Sequence, residues 1–270
     1  NQSRNNGSGD IGWQGIGRIS GRPWMIDETK FWHFGVSAGH TTVNNQYRAD
    51  GTFSQANATA GQNSGGMSFV GFLGTNVDRT NVLNTGNLTS GSNDSPDARR
   101  IDSYDRYGAE TALVYGPFSA QAEYLRTNIN GLNYSGEHLT GYYGYLSYFL
   151  TGESRAYHVR NGAWNRIVPN KSFHWNGTGL GAWEFAVGYD YLNMNNGKIR
   201  GGEADMIRFA LNWYPHTHVR VMTNVNHVLN LNTAGVVNYN AAGEPIANDR
   251  SQGFHDANIT SFLTRVQVDF

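Results

Sequence analysis

The basic residues of this chain are almost all arginine. Of 20 Lys and Arg residues, only Lys30, Lys171 and Lys198 are lysines. A guanidinium is a rigid, planar fork of donors that grips an oxyanion through paired hydrogen bonds, whereas an ammonium acts as a compact point charge. Arg18, Arg22, Arg106, Arg208, Arg220 and Arg265 lie in segments where polar and apolar residues alternate, and each falls on the polar phase. Cationic groups repeated along one wall suit weak, repeated binding of anions, which conduction through a narrow pore requires. The same phase carries Glu110, Glu123, Glu184 and Asp190, so the plainer reading is that these arginines pair with carboxylates on a wet surface.

Other residues offer less. Glu153 and Arg155 lie two apart in a segment without alternation, Thr151 to Gly179. They either shape a passage from a folded-in turn or lock that turn by pairing with residues of the wall. The second is preferred, because paired charges on folded loops set shape. The nine histidines are scattered, and His216 and His218 alternate across a turn, which is no compact metal site. Asn93, Asp94, Asp97 and Asp102 lack the spacing of a calcium loop. His33 and Ser37 share a strand face, but no acid–histidine–nucleophile block accompanies them. The pattern calls for no enzyme chemistry, metal or cofactor.

The elements that must hold the arginines read as strands. From Ala257 to Phe270, Phe262, Thr264, Val266, Val268 and Phe270 alternate with Ser261, Leu263, Arg265, Gln267 and Asp269. Successive strand side chains point to opposite faces, so one face is apolar and the other polar. The rhythm recurs over Gly12–Trp24, Lys30–Val43, Tyr104–Tyr115, Phe118–Ile129, Gly181–Asn193, Ala204–Tyr214 and Thr217–Leu231. His138–Leu150 is also a strand, but aromatics on both phases leave its facing open. Besides Thr151–Gly179, two stretches interrupt the rhythm, Asn44–Ser103 with an apolar patch at Met67–Leu73, and Asn232–Asp256. Loops that long are usually functional or disordered.

Composition narrows the class. Charged residues make up 15%, aromatics 13%, glycines number 34 and cysteine is absent, with mean hydropathy −0.53. No apolar run approaches the roughly 20 residues of a membrane helix. Segments of this alternation and length fit membrane strands, which need roughly 9–11 residues in the hydrocarbon core. Aromatics near segment ends, Trp24, Trp32, Tyr115, Trp213 and Phe270, fit the girdles of such barrels. Short turns alternating with long loops fit their two ends. A net charge of −1 offers no field for nucleic acid. The fold class is therefore all-β, a transmembrane antiparallel β-barrel with lipid as one partner. The rivals are a soluble glycan-binding sandwich and an outer-membrane barrel hydrolase. Because the count is about nine strands and bacterial barrels have even numbers, we expect N-terminal strands to be missing from this sequence, whose Asn- and Gly-rich start reads as a loop or a cut.

Particular stretches then resemble a known family. They are Gly108-Ala-Glu-Thr-Ala-Leu-Val-Tyr-Gly-Pro-Phe-Ser-Ala-Gln-Ala-Glu-Tyr124, Tyr148-Phe-Leu-Thr-Gly-Glu-Ser-Arg-Ala-Tyr157 followed by Gly162-Ala-Trp and Val168-Pro, the Asn84-Thr-Gly-Asn element, and the Phe-terminated last strand. Together they resemble the phosphate-selective porin O and P family. The resemblance implies a homotrimeric, sixteen-stranded outer-membrane channel for small anions such as phosphate. This chain would give the C-terminal strands, about nine of the sixteen, within one barrel domain over 1–270. It further implies that 44–103 and 151–179 are inserts narrowing the lumen, with Arg48, Arg79, Glu153 and Arg155 at the constriction and an arginine column leading to it. Members use lysines at that constriction, yet Asn44–Ser103 contains none and offers Arg48, Arg79, Arg99 and Arg100 instead. The expectation is thus an anion-leaning porin whose solute is open, with a non-selective porin as the alternative.

Overall fold

The computed structural model describes residues 13–43, 68–73, 82–89, 99–233 and 255–269. Arg48, Arg79, Asn93, Asp94, Asp97, Phe270 and most of the expected insert 44–103 lie outside the described residues. Among those described, the regular structure is strand, save one 3₁₀ turn at Val159–Asn161, and no helix is long and apolar enough to cross a membrane.

Nine strands make one antiparallel sheet: β1 (Gln14–Asp27), β2 (Lys30–Thr42), β5 (Arg100–Tyr115), β6 (Phe118–Leu132), β7 (His138–Phe149), β10 (Ala182–Asn196), β11 (Ile199–His216), β12 (Val219–Asn232) and β13 (Thr260–Val268). They pair in that order, each with its neighbour in sequence. Between them lie two small pairs, β3 (Val70–Gly71) with β4 (Leu83–Asn84), and β8 (Tyr157–His158) with β9 (Ala163–Trp164).

Several strands run further than their apolar alternation. β5 begins at Arg100, inside the segment expected to be loop, and β11 at Ile199. Ladder hydrogen bonds continue the pairing beyond the greasy band, because backbone groups need partners whatever the side chains face. The expected alternation of short turns with long loops also fails in part. Asn133–Glu137 and Gly197–Lys198 are short connections at the same end as the long segments 43–99 and 233–259. Asn133 and Gly197 take φ of 58° and 55° there, which permits tight reversals.

The sheet has one bare face and one covered face. On the bare face lie Trp32, Phe34 and Val36 of β2, Tyr107, Leu113 and Tyr115 of β5, Leu146 and Tyr148 of β7, Phe185 and Tyr189 of β10, Phe209 and Leu211 of β11, and Phe262, Val266 and Val268 of β13, all exposed. Register settles the strand whose facing the sequence left open. Tyr143 and Tyr145 pair with Glu123 and Gln121 on the covered side, leaving Tyr142, Leu146 and Tyr148 on the bare one.

The covered face is dry at the end bearing the long loops. Val82, Leu83 and Leu88, with Phe69 and Leu73 from the apolar patch, pack onto Ile101, Tyr104, Ile129, Leu139, Met194, Ile199, Ala204, Val228 and Leu231. Each fully buried Leu or Ile contributes about 1.5–3 kcal/mol of transfer free energy. That core anchors the described part of the segment between β2 and β5 to the sheet. A smaller core of Phe149, Ile167, Ala182 and Tyr214 marks the other end.

Candidate functional site: a polar wall crossed by an insert

Residues 150–181 connect β7 to β10, and they cross the covered face instead of making a turn. The chain reverses at the β8–β9 hairpin, where Gly162 has φ of 57°. Its anchors reach from one side of the sheet to the other. Tyr157 packs on Phe31, with ring centroids 5.1 Å apart, and its hydroxyl hydrogen-bonds His33 Nδ1 at 2.7 Å. The carbonyl of Gly162 accepts from Arg18 Nη2 at 2.9 Å. Trp164 Nε1 donates to Gln121 Oε1 at 2.5 Å on β6. Arg155 pairs with Glu184 on β10, and Arg166 Nη1 donates to His218 Nδ1 at 2.9 Å.

Glu184 is fully buried. One carboxylate oxygen takes Arg155. The other accepts from Asn212 Nδ2 at 3.0 Å and Tyr214 Oη at 2.8 Å. Arg155 Nε is buried with no hydrogen-bond partner among the described residues. Its guanidinium lies 5.3 Å from the Trp164 ring centroid and 5.9 Å from that of Tyr145. Glu153, also buried, turns inward to its own segment, accepting from Thr151 Oγ1 and from Asn170 N at 2.9 Å. Burial pushes the Tyr157 phenol above its ordinary value, against the opposing pull of Arg22 and Arg18.

The six arginines on the polar phase, Arg18, Arg22, Arg106, Arg208, Arg220 and Arg265, all fall on the covered face by register or contact. Their partners differ. Arg18 pairs with Glu110, with Nε donating at 3.0 Å, and His33 Nε2 shares the same carboxylate oxygen at 2.9 Å. Arg22 pairs with Glu28 at 2.8 Å and lies 5.3 Å from the rings of both Phe31 and Tyr157. Arg208 pairs with Asp190, Nη2 donating at 2.6 Å. Arg220 donates to neutral Gln267 at 2.6 Å. Arg106 lies over the Tyr104 ring at 5.2 Å. Neither Arg106 nor Arg265 has an acid partner among the described residues.

Sequence reasoning missed the anchors His33, Gln121, Tyr157 and Trp164, because side chains far apart in the chain meet only once the insert has folded back. Glu28 was missed as the partner of Arg22, although its place in the adjacent turn was a usable signal. Asp102, set aside as part of a calcium-like cluster, instead pairs with Arg100 at 2.7 Å. Among the described residues no group of three or more His, Asp or Glu is placed to hold a metal.

A sheet with a bare apolar face and a polar face rich in arginine is inverted relative to a soluble sandwich, which interlocks its apolar rows inside. The aromatic rows agree. Trp183 and Tyr191 lie eight positions apart on the bare side of β10, about 27 Å along the strand. At a tilt of about 40° this becomes roughly 20 Å, near the height of a membrane barrel's apolar band. The fold and site thus define a porin-type transmembrane β-sheet.

The sequence profile of the phosphate-selective porin O and P family matches residues 19–238, and the chain belongs to that family. It is 32% identical over 164 residues to an "Uncharacterized protein" of Caulobacter vibrioides, covering 61% of this chain and 30% of that protein. It is 32% identical over 127 residues to "Porin O" of Pseudomonas aeruginosa, covering 43% of this chain and 27% of that one. The chain thus spans less than a third of the length of each of these relatives.

Proposed function

We propose that this chain forms part of the wall of a sixteen-stranded, homotrimeric porin of the bacterial outer membrane, through which small anions diffuse passively. The observation that carries the reading is the opposite chemistry of the two faces of one sheet: exposed Phe, Leu, Val, Trp and Tyr on one, arginines on the other. Lipid is the solvent that satisfies the first face, and water in a lumen the second. Within the insert 151–179, the stretch from Arg155 to Arg166 narrows that lumen, supported by its anchors from Arg18 and His33 across to Glu184 and His218. The segment 44–103, whose described part packs on the same face, takes the same role at the other end, with Arg48 and Arg79 on it.

Anions are drawn by the cations that have no acid partner among the described residues, Arg106 and Arg265, and less by Arg220, whose charge also acts on the Asp269 carboxylate. Arg18, Arg22 and Arg208 are each offset by a carboxylate and position the wall more than they attract charge. The resulting preference for anions is moderate, with phosphate among the solutes.

The test is single-channel recording of the whole protein that carries this chain. We expect stable conductance, a reversal potential on the anion side in a potassium chloride gradient, and reduced chloride current on adding millimolar phosphate. Absence of conductance overturns the porin reading. A cation-side reversal overturns the anion reading, and unchanged current in phosphate removes phosphate as a solute.

A further inference from the structure

One aromatic feature lies outside the pore wall. Residues 171–181 form a small hairpin at the end of the sheet that bears the β1–β2, β5–β6 and β11–β12 turns. The His174 and Gly179 backbones bridge, Gly181 N donates to Lys171 O at 3.1 Å, and Phe173 N donates to Pro215 O at 2.8 Å. Trp175 stands at the hairpin tip and is 95% exposed, and Leu180 is exposed beside it. A tryptophan so placed on a well-tied turn presents a large apolar surface, and such surfaces mark contacts with another apolar phase.

The hairpin continues a row already on the bare face. Trp183 and Trp213 face each other across β10 and β11 and stack with ring centroids 5.5 Å apart. Both donate their indole N–H to Leu180 O, at 3.2 and 2.8 Å. Phe173 packs edge-on against Trp213 at 5.2 Å and against Trp175 at 4.9 Å. Trp213, Phe173 and Trp175 thus form one aromatic run from the sheet's girdle to the hairpin tip. Lys171 is exposed on the same hairpin, and the rings of His174 and His216 lie 6.4 Å apart beside it. Indole rings favour the boundary between acyl chains and headgroups, and a nearby ammonium favours anionic headgroups there.

We propose that the 171–181 hairpin is an interfacial anchor, seating Trp175 and Phe173 among the headgroups of an anionic phospholipid leaflet at this end of the sheet. This rests on the reading that the bare face meets lipid. The hairpin extends that contact beyond the strands and ties it, through the insert, to the wall of the lumen.

The chain has no cysteine, so one introduced here is the unique label site once any cysteine elsewhere in the whole protein is replaced by serine. In the whole protein, Thr178→Cys places an environment-sensitive fluorophore on the hairpin while keeping Trp175. Leu146→Cys places one on the bare face in mid-sheet. Both are reconstituted in vesicles of phosphatidylethanolamine and phosphatidylglycerol. Each is then quenched by aqueous iodide, by a nitroxide lipid labelled near the glycerol, or by one labelled deep in the chains. The Leu146 site should respond to the deep nitroxide; failure there overturns the lipid reading itself. The Thr178 site should be quenched about twofold more by the shallow nitroxide than by the deep one. Adding Trp175→Ala should shift it toward iodide. Iodide quenching of the Thr178 site with Trp175 in place overturns the anchor while leaving the Leu146 result standing. Shielding from all three quenchers, with disulfide cross-linking of unlabelled Thr178→Cys between copies, overturns it in favour of a subunit contact.

Discussion

Replacing Glu110 by Gln should make the proposed channel more selective for anions without changing its size. Glu110 lies on the covered face, with its side chain about a quarter exposed, and neutralises Arg18. Gln keeps the shape, and its carbonyl oxygen still accepts from Arg18, so the hairpin contact from Arg18 to the Gly162 carbonyl survives. What disappears is one negative charge on the wall. For an ion passing about 7 Å away in water, a unit charge is worth roughly 0.6 kcal/mol. That is nearly threefold in local anion concentration, with the opposite factor for a cation. The anion-to-cation permeability ratio should therefore rise by up to about sevenfold at low salt. The Debye length falls from about 10 Å at 0.1 M to about 3 Å at 1 M, so most of the shift should vanish in concentrated salt. The assay is the reversal potential across a planar bilayer in potassium chloride gradients at both ionic strengths. An unchanged reversal potential, with unchanged conductance, would refute the placement of Glu110 on the ion path. A shift that persists at 1 M would refute the electrostatic cause.

Three further outcomes follow from the same geometry. Glu184→Ala strands the Arg155 guanidinium and removes the acceptor of Asn212 and Tyr214. It should cost about 3–5 kcal/mol in urea titrations of the refolded protein and make the insert the first site of proteolysis, with Glu184→Gln losing less. Gly181→Ala puts a Cβ 2.6 Å from the Tyr214 carbonyl oxygen at φ of 71°. Backbone strain of about 1–3 kcal/mol should lower the urea midpoint and loosen the Trp183–Trp213 stack, read by near-ultraviolet circular dichroism. Glu137 links two connections at the long-loop end: burial works to raise its carboxyl, but the backbone N–H groups of Ser135, Glu137 itself and Lys198 hold it net below the ordinary carboxylate value. A depressed folded-state pKa gives stability that is present above the unfolded value of about 4.3 and lost as pH falls through the folded one. The protection of the Lys198 amide, its exchange rate divided into the intrinsic rate at each pH, should therefore fall only in acid, and Glu137→Gln should flatten that dependence.

The sequence showed the two faces well because alternation is a local property. Trp32, Phe34 and Val36 reach the bare face, and His33 and Ser37 the other, through strand geometry alone. β7 resisted because Tyr142, Tyr143, Tyr145 and Tyr148 make both phases aromatic. Only the cross-strand partners Gln121 and Glu123 settle which side is which. The dry packing of Val82, Leu83 and Leu88 onto the polar phase was hidden for a related reason. Ile101, Ile129 and Ile199 sit at strand ends, where a short apolar patch in a long loop gives no hint of which residues it will cover.

The same distinction explains why the arginines could be placed on a face but not weighted. A face is set by a residue's own strand. Its effective charge is set by what arrives from elsewhere: Arg18 meets Glu110 two strands away and a carbonyl from an insert more than a hundred positions later. Arg106 and Arg265 look the same in sequence, yet no acid reaches them among the described residues. If selectivity follows effective charge, Arg106→Gln should lower the permeability ratio at low salt by about as much as Glu110→Gln raises it. Arg18→Gln should lower it about as much, because the Glu110 carboxylate it leaves behind is no longer neutralised, whereas Arg18→Gln and Glu110→Gln together should leave it near its starting value. A fall in that double variant as large as the fall in Arg106→Gln would show that the number of guanidinium groups on the wall, and not their compensation, sets the preference.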